Sequence, residues 1–197
     1  MSLLVVGSVA LDSVQTPFGN ANSVLGGSAS YFSLAANIFT DVNIVAVVGE
    51  DFPEKHLEMF KMKGINTKGL VIQEGETFRW EGKYGYDLGD PETLATHLNV
   101  FEKFDPDIPE EYKYIDHVFL ANIDPSIQLK VLDQVKSPKI VACDTMNFWI
   151  QNKLAELKEI IGRINILIIN DSEARELASE PLITNAARKI MDMGPER

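Results

Sequence analysis

The side chains that could bind or activate a small molecule fall in four groups at the ends of apolar runs. Asp12 follows the run Leu3 to Leu11, and the pair Gly26-Gly27 stands just before Ser28 to Phe39. Asp144 and Asn147 follow a run ending at Cys143, while Asn170 and Glu173 follow one ending at Ile169. Carboxylates such as Asp12 and Asp144 accept charge-assisted hydrogen bonds from hydroxyl groups. Adjacent glycines let backbone approach a ligand and aim the following helix N-terminus at it. Asn170 and Glu173, three residues apart, share one face of a starting helical turn. Each group also has a structural reading. Asp, Asn and Gly are recruited at helix starts, and Asn170 to Glu173 has the spacing of a capping box.

Other reactive side chains carry less. His56, His97 and His117 are isolated and lack metal-ligand spacing. Cys143 is the single cysteine, so no internal disulfide forms, and it reads as a packed strand residue. Phe148 and Trp149 read as packing at a helix start. No Gly-x-Gly-x-x-Gly turn follows the first apolar run, which ranks a nicotinamide-dependent dehydrogenase last.

The elements that must position these residues alternate between strand and helix, the pattern of a parallel sheet covered by helices. Strands are expected at Leu3 to Leu11, Val42 to Val48, His117 to Ala121, Ile140 to Cys143 and Ile164 to Ile169. Helices are expected at Ser28 to Phe39, Pro53 to Lys63, Pro125 to Val135, Trp149 to Ile161, Ser172 to Leu177 and Asn185 to Met193. In such a sheet, ligands bind at the carboxyl ends of the strands, where the four groups stand. Between Thr77 and Phe101 the period changes to two: Phe78, Trp80, Tyr84 and Tyr86 alternate with Arg79, Glu81 and Lys83, which predicts a hairpin. Its aromatic face is too apolar to stand in water and should be covered.

Composition narrows the functional class. Apolar residues form 45% and charged residues 24% of the 197, which excludes disorder and suits one main domain. No apolar run approaches the roughly 20 residues of a membrane span. Eighteen basic against 29 acidic residues give a net charge of -11, which opposes docking on nucleic acid. The N-terminus reads as an opening strand and not a signal peptide, so a cytoplasmic location is expected.

Five segments, in order, resemble the ribokinase or PfkB carbohydrate kinase family over essentially the whole sequence. They are Gly7-Ser8-Val9-Ala10-Leu11-Asp12, Leu25-Gly26-Gly27-Ser28-Ala29, Val47-Val48-Gly49-Glu50-Asp51, Asp144-Thr145-Met146-Asn147 and Asn170-Asp171-Ser172-Glu173-Ala174. The resemblance implies a ribokinase-like α/β fold, with a mostly parallel central sheet, helices on both faces and a small β lid. It implies one such domain over residues 1–197, incomplete at its C-terminus, with the 77–101 hairpin as lid and Phe78, Arg79 and Trp80 on it. The implied activity is phosphorylation of a hydroxyl on a sugar or sugar-like molecule by ATP with Mg²⁺. The alternatives are a nucleoside kinase of the same family and a non-catalytic ligand-binding fragment. By similarity, Asp12, Gly26, Gly27, Asp144 and Asn147 would bind the acceptor. Asn170 and Glu173 would organise Mg²⁺ and phosphate without ligating the metal directly, and a second copy would pair through the lid.

Two departures from the family pattern stand out. Many members carry an Asn a few residues after the diglycine, where this sequence has Ser30 and Tyr31. The family's Gly-Ala-Gly-Asp motif, whose Asp is the general base, is expected beyond residue 197, and the similar string Gly89-Asp90 lies in the hairpin turn. No catalytic residue is therefore expected within these residues, and the chain alone is expected to be inactive.

Overall fold

A computed structural model describes residues 2–89 and 91–197, so Asp90 of the Gly89-Asp90 string lies outside the described residues. In chain order the strands are β1 Ser2–Val6, β2 Ala10–Thr16, β3 Gly19–Gly26, β4 Asp41–Gly49, β5 Asn66–Gln73, β6 Arg79–Lys83, β7 Glu92–His97, β8 His117–Leu120, β9 Ile140–Asp144 and β10 Ile166–Ile168. The helices are α1 Ser28–Ala36, α2 Glu54–Met62, α3 Pro125–Gln134, α4 Asn147–Asn152, α5 Leu154–Ile161, α6 Asp171–Ala178 and α7 Ile183–Met191. The chain divides into two compact units, Met1–Val6 with Pro106–Arg197, and Gly7–Asp105.

In the first unit four strands run parallel in the order β10-β9-β8-β1. Parallel neighbours need crossover connections, and α3 and the α4-α5 pair supply them. Leu4, Val5, Val6, Val118, Phe119 and Leu120 are all buried, as befits strands without a polar face. Helix α3 begins where Asp124 accepts the Ser126 N–H at 2.8 Å and Pro125 takes the first turn. The expected single helix from Trp149 to Ile161 is two helices, because Lys153 leaves helical geometry at φ -138°. Beyond α7, Glu196 and Arg197 donate backbone hydrogen bonds to the Asn165 carbonyl, and Leu167 donates to the Arg197 carbonyl.

The second unit holds the parallel pair β4-β5, joined through α2, and a four-stranded sheet in the order β3-β2-β6-β7. In that smaller sheet β2 pairs antiparallel with β3 and parallel with β6, and β6 pairs antiparallel with β7. Three expectations change here. The run Leu3 to Leu11 is not one strand: the chain breaks at Gly7–Val9, and β2 enters a different sheet from β1. The segment from Asp12 to Gly26, for which no strand or helix was expected, is mostly a second hairpin, so the smaller sheet has four strands where the 77–101 hairpin alone was expected. Strand β5 was not foreseen: its apolar run is only Leu70 to Ile72, preceded by the polar Asn66, Thr67 and Lys68. Within the 77–101 hairpin, β7 ends at His97 and Asn99–Lys103 forms a 3₁₀ turn.

The aromatic face of the hairpin is partly covered. Phe78 stacks on Phe101 at 5.3 Å, and Phe101 on Phe104 at 5.4 Å. Trp80 lies over Gly82, where any β-carbon would meet its indole ring, and donates Nε1–H to Thr93 at 3.2 Å. Tyr84 is half-buried, but Tyr86 lies past the end of β6 and is 82% exposed, touching Phe18 edge-on. The alternation therefore breaks after Tyr84, where the strand gives way to a turn.

Candidate functional site

Asp12 stands in mid-strand on β2 and not beyond the end of β1, with Val24 of β3 and Trp80 of β6 as its register partners. Paired residues project to the same face, so Val24, Asp12 and Trp80 form one row across the four-stranded sheet. At the end of β3, Gly26 has no side chain where a β-carbon would fall on the Asp12 carboxylate. Gly27, at φ 91°, presses against the Ser8 backbone and donates its N–H to Asp12. Only glycine combines that φ with that approach. Ser8 secures the turn: its Oγ accepts from the Ser28 N–H at 3.1 Å, and its carbonyl accepts from Ala29 N–H at 3.0 Å. The diglycine turn and Asp12 thus form one structure at the start of α1.

Burial pushes the Asp12 carboxyl up to about 6, and the Gly27 N–H offsets only part of this. Tyr31, one turn into α1, folds back to donate its hydroxyl to the Leu25 carbonyl at 3.1 Å. Burial, then the charges of Asp12 and Tyr84, raise its phenol above the ordinary value. Carboxylate and phenol oxygens therefore border the same three-residue turn.

A second group in this unit holds the start of β6 in the four-stranded sheet. Asp51 accepts from Thr77 N–H at 2.7 Å, from the Thr77 hydroxyl at 2.6 Å and from Arg79 Nη2 at 2.5 Å. Burial works against its charge, but the Thr77 donors and the Arg79 guanidinium outweigh it and hold the carboxyl below its usual range. Thr77 is fully buried, and its Oγ1 also accepts from Gly49 N–H at 3.0 Å. Arg79, expected on the lid, is thus an anchor at its root.

In the first unit the carboxyl ends of β9 and β10 lie side by side, with Ile168 paired to Asp144. Burial first, opposed by the Thr145 N–H, and then the Glu173 charge push the Asp144 carboxyl up to about 6. Glu173 is buried and closes a capping box at the start of α6: its Oε2 accepts from Asn170 N–H at 3.0 Å, and Asn170 Oδ1 accepts from Glu173 N–H at 2.8 Å. Thr145 Oγ1 is buried beside Asp144 with no hydrogen-bond partner. Asn147 donates Nδ2–H to Glu176 Oε2 at 2.6 Å, and Gln151 donates to its Oε1 at 2.7 Å, so Asn147 ties α4 to α6.

No protein-family model matches the sequence. A cytidine kinase of Thermococcus kodakarensis is 26% identical over 199 residues, covering 98% of this chain and 70% of that protein. The nucleoside kinase of Methanocaldococcus jannaschii, an archaeal member of the ribokinase family, superposes with a TM-score of 0.71 at 19% identity, over 95% of this chain and 67% of that one. The fold is ribokinase-like. A ribokinase from Cryptococcus neoformans, solved in complex with ADP, also superposes, with a TM-score of 0.70 at 18% identity over 98% of this chain and 66% of that one.

Within the ribokinase-like fold, the structure joins Asp12 to Gly26 and Gly27, and separately brings Asp144 near Glu173, which the capping box ties to Asn170. Phe78 and Trp80 lie on or at the start of β6, and Asn147 faces Glu176. The parts that Tyr31 and Asp51 play in these two turns were not foreseen, although both lie in or beside the quoted motifs. Nor was Gln128, fully buried on α3, whose Nε2 donates to the Ala121 carbonyl at 3.0 Å and the Asp144 carbonyl at 3.1 Å. A Gln inside an otherwise apolar helix stripe was the available signal for it. Cys143 is buried, and burial and the Asp144 charge push its thiol up, away from nucleophilic use. Among the described residues no group of three or more His, Cys, Asp and Glu side chains could hold a metal, and no helix is long and apolar enough to cross a membrane.

Proposed function

We propose that the chain is the acceptor-binding portion of an ATP-dependent kinase that phosphorylates a hydroxyl of a nucleoside. The observation that carries this reading is Asp12, held by the Gly27 N–H over the glycine turn, with Trp80 beside it in the sheet and the Tyr31 phenol close enough to feel its charge. An ionised carboxylate takes sugar hydroxyls as donors. Aromatic rings offer the flat apolar faces that a base requires. The cytidine kinase relative supports a nucleoside over a free sugar, which reverses the order expected from the sequence. A sugar acceptor is the second reading, supported by the ribokinase likeness.

The fit to Mg²⁺ and ATP rests on the first unit. Asp144 and Glu173 repel one another, and a divalent cation near them would relieve that repulsion. Mg²⁺ typically takes one or two carboxylates and completes its shell with water and phosphate oxygens. Two carboxylates with Asn170 beside them suit that mode. When bound, the ion would neutralise charge on the phosphates. In this reading Asp144, expected from the sequence at the acceptor, and Glu173, expected to act without ligating the ion, would hold it instead, and Asn170 keeps the Glu173 carboxylate aimed through the capping box.

The 197 residues contain no Gly-Ala-Gly-Asp string, so the proton of the attacking hydroxyl has no assigned acceptor among them. Binding should therefore be seen without turnover. The experiment is ligand-observed NMR on the purified chain across nucleosides, pentoses and hexoses, paired with an ADP-release assay. Nucleosides are expected to bind and no ADP to appear. A panel in which only free sugars bind would reverse the order of the two readings. ADP release that tracks an acceptor would place a base inside residues 1–197.

A further inference from the structure

The Asp12 site contains an acceptor residue that the family pattern does not foresee. We infer that Tyr31 is a specificity-determining residue whose phenol oxygen, together with the Asp12 carboxylate, selects a vicinal diol of ribose over its 2′-deoxy counterpart. The inference rests on the nucleoside reading above and extends it to the substrate class within that reading.

The argument is one of donors and acceptors. Tyr31 donates its only O–H to the Leu25 carbonyl at 3.1 Å, so toward a ligand its oxygen presents lone pairs alone. Asp12, when ionised, is also acceptor-only, and one of its hydrogen bonds already comes from Gly27 N–H. Leu25 is joined by one peptide bond to Gly26, over which the Asp12 carboxylate lies, so the two acceptors border the same turn. The raised phenol value agrees, since burial first, and then the charges of Asp12 and Tyr84, disfavour a charged Tyr31 and keep it a neutral, donating phenol. Two neighbouring acceptors match two neighbouring hydroxyl donors. The Asn that many family members carry in this stretch would present an N–H donor as well as an acceptor, and so a different code.

A site built to receive a hydroxyl rejects an analogue without it, because the acceptor left behind loses its partner. The test is titration calorimetry on the 197-residue chain with cytidine, 2′-deoxycytidine and 2′-fluoro-2′-deoxycytidine. The fluoro analogue places an acceptor where the hydroxyl donor was. For the unaltered chain, cytidine is expected to bind on the order of tenfold more tightly than either analogue. In Tyr31→Phe the ratio of cytidine to deoxycytidine affinity should fall by roughly threefold to tenfold. Tyr31 is 59% exposed, so this variant keeps the ring with little effect on packing, and its melting curve checks the fold. An unchanged ratio in Tyr31→Phe overturns the inference while leaving the nucleoside reading intact. Equal affinity of the unaltered chain for cytidine and the fluoro analogue does the same without needing a variant. Absence of binding by all three overturns the inference and the nucleoside reading together.

Discussion

At the residue scale, Asp12 and Asp144 share one electrostatic condition: both are carboxyls that burial makes reluctant to ionise, with values of about 6. Their folded values lie above the unfolded value of 3.8, so the fold favours their neutral forms. The stability this contributes is fully present below about pH 4 and is lost as pH rises through about 6. Carboxyls such as Asp51 and Glu176 are shifted downward and act the opposite way, losing their contribution only as pH falls below the unfolded range. Melting temperature between pH 4 and pH 7 should therefore decline with rising pH. In Asp12→Asn with Asp144→Asn the slope should flatten, because neither amide can ionise. A slope unchanged by both substitutions would show that these carboxyls are not the buried charges described. Asp12 was visible in the sequence as a polar residue ending an apolar run. Its neighbour Tyr31 was not, because a tyrosine in an apolar helix looks like packing until its hydroxyl is seen to turn back on Leu25.

At the element scale, one side chain ties the start of β6 to the end of β4. Asp51 gathers Thr77 and Arg79, and Thr77 in turn holds the Gly49 N–H and gives its carbonyl to Asn99 Nδ2 at 2.9 Å. Asp51→Ala leaves two buried Thr77 donors without their acceptor and the Arg79 guanidinium without its counter-ion. The expected cost is about 1–3 kcal/mol. Hydrogen exchange should rise first at the β6 amides, with the β4-β5 pair little changed. Uniform loss of protection across the unit would mean that Asp51 supports the whole unit and not the lid root. The Val47 to Asp51 motif was readable as a string, but its partners lie 26 and 28 residues onward in the chain, and no spacing rule links them. The same limit explains the lid. Period-two alternation marked β6, whereas β2 and β3 join Leu11, Asp12 and Val14 to mostly exposed polar residues such as Asn20 and Asn22. A hairpin of that composition resembles a loop until its partner strand is known. Helices with a clear cap were read more closely, α6 above all, because the capping box from Asn170 to Glu173 is a local interaction.

At the scale of the whole molecule, strand and helix alternation sufficed for the α/β class, and the ordered motifs sufficed for the ribokinase-like fold that the superpositions show. The division into two units was not visible, since no linker composition marks the boundaries near Val6 and Asp105. Each unit carries one of the two groups of polar residues: Asp12 with the diglycine in one, and Asp144 with Asn170 and Glu173 in the other. The proposed function puts acceptor recognition on a local structure, the Asp12 and diglycine turn, whose hydrogen bonds all lie within Gly7–Asp105. Isothermal titration of cytidine into the 197-residue chain at pH 7.5, beside Asp12→Asn, tests this most directly. The account predicts one-to-one binding by the unaltered chain. Loss of the charge-assisted hydrogen bonds should weaken binding on the order of 10- to 100-fold in the variant. Equal affinity in the two proteins, with unchanged melting, would contradict it.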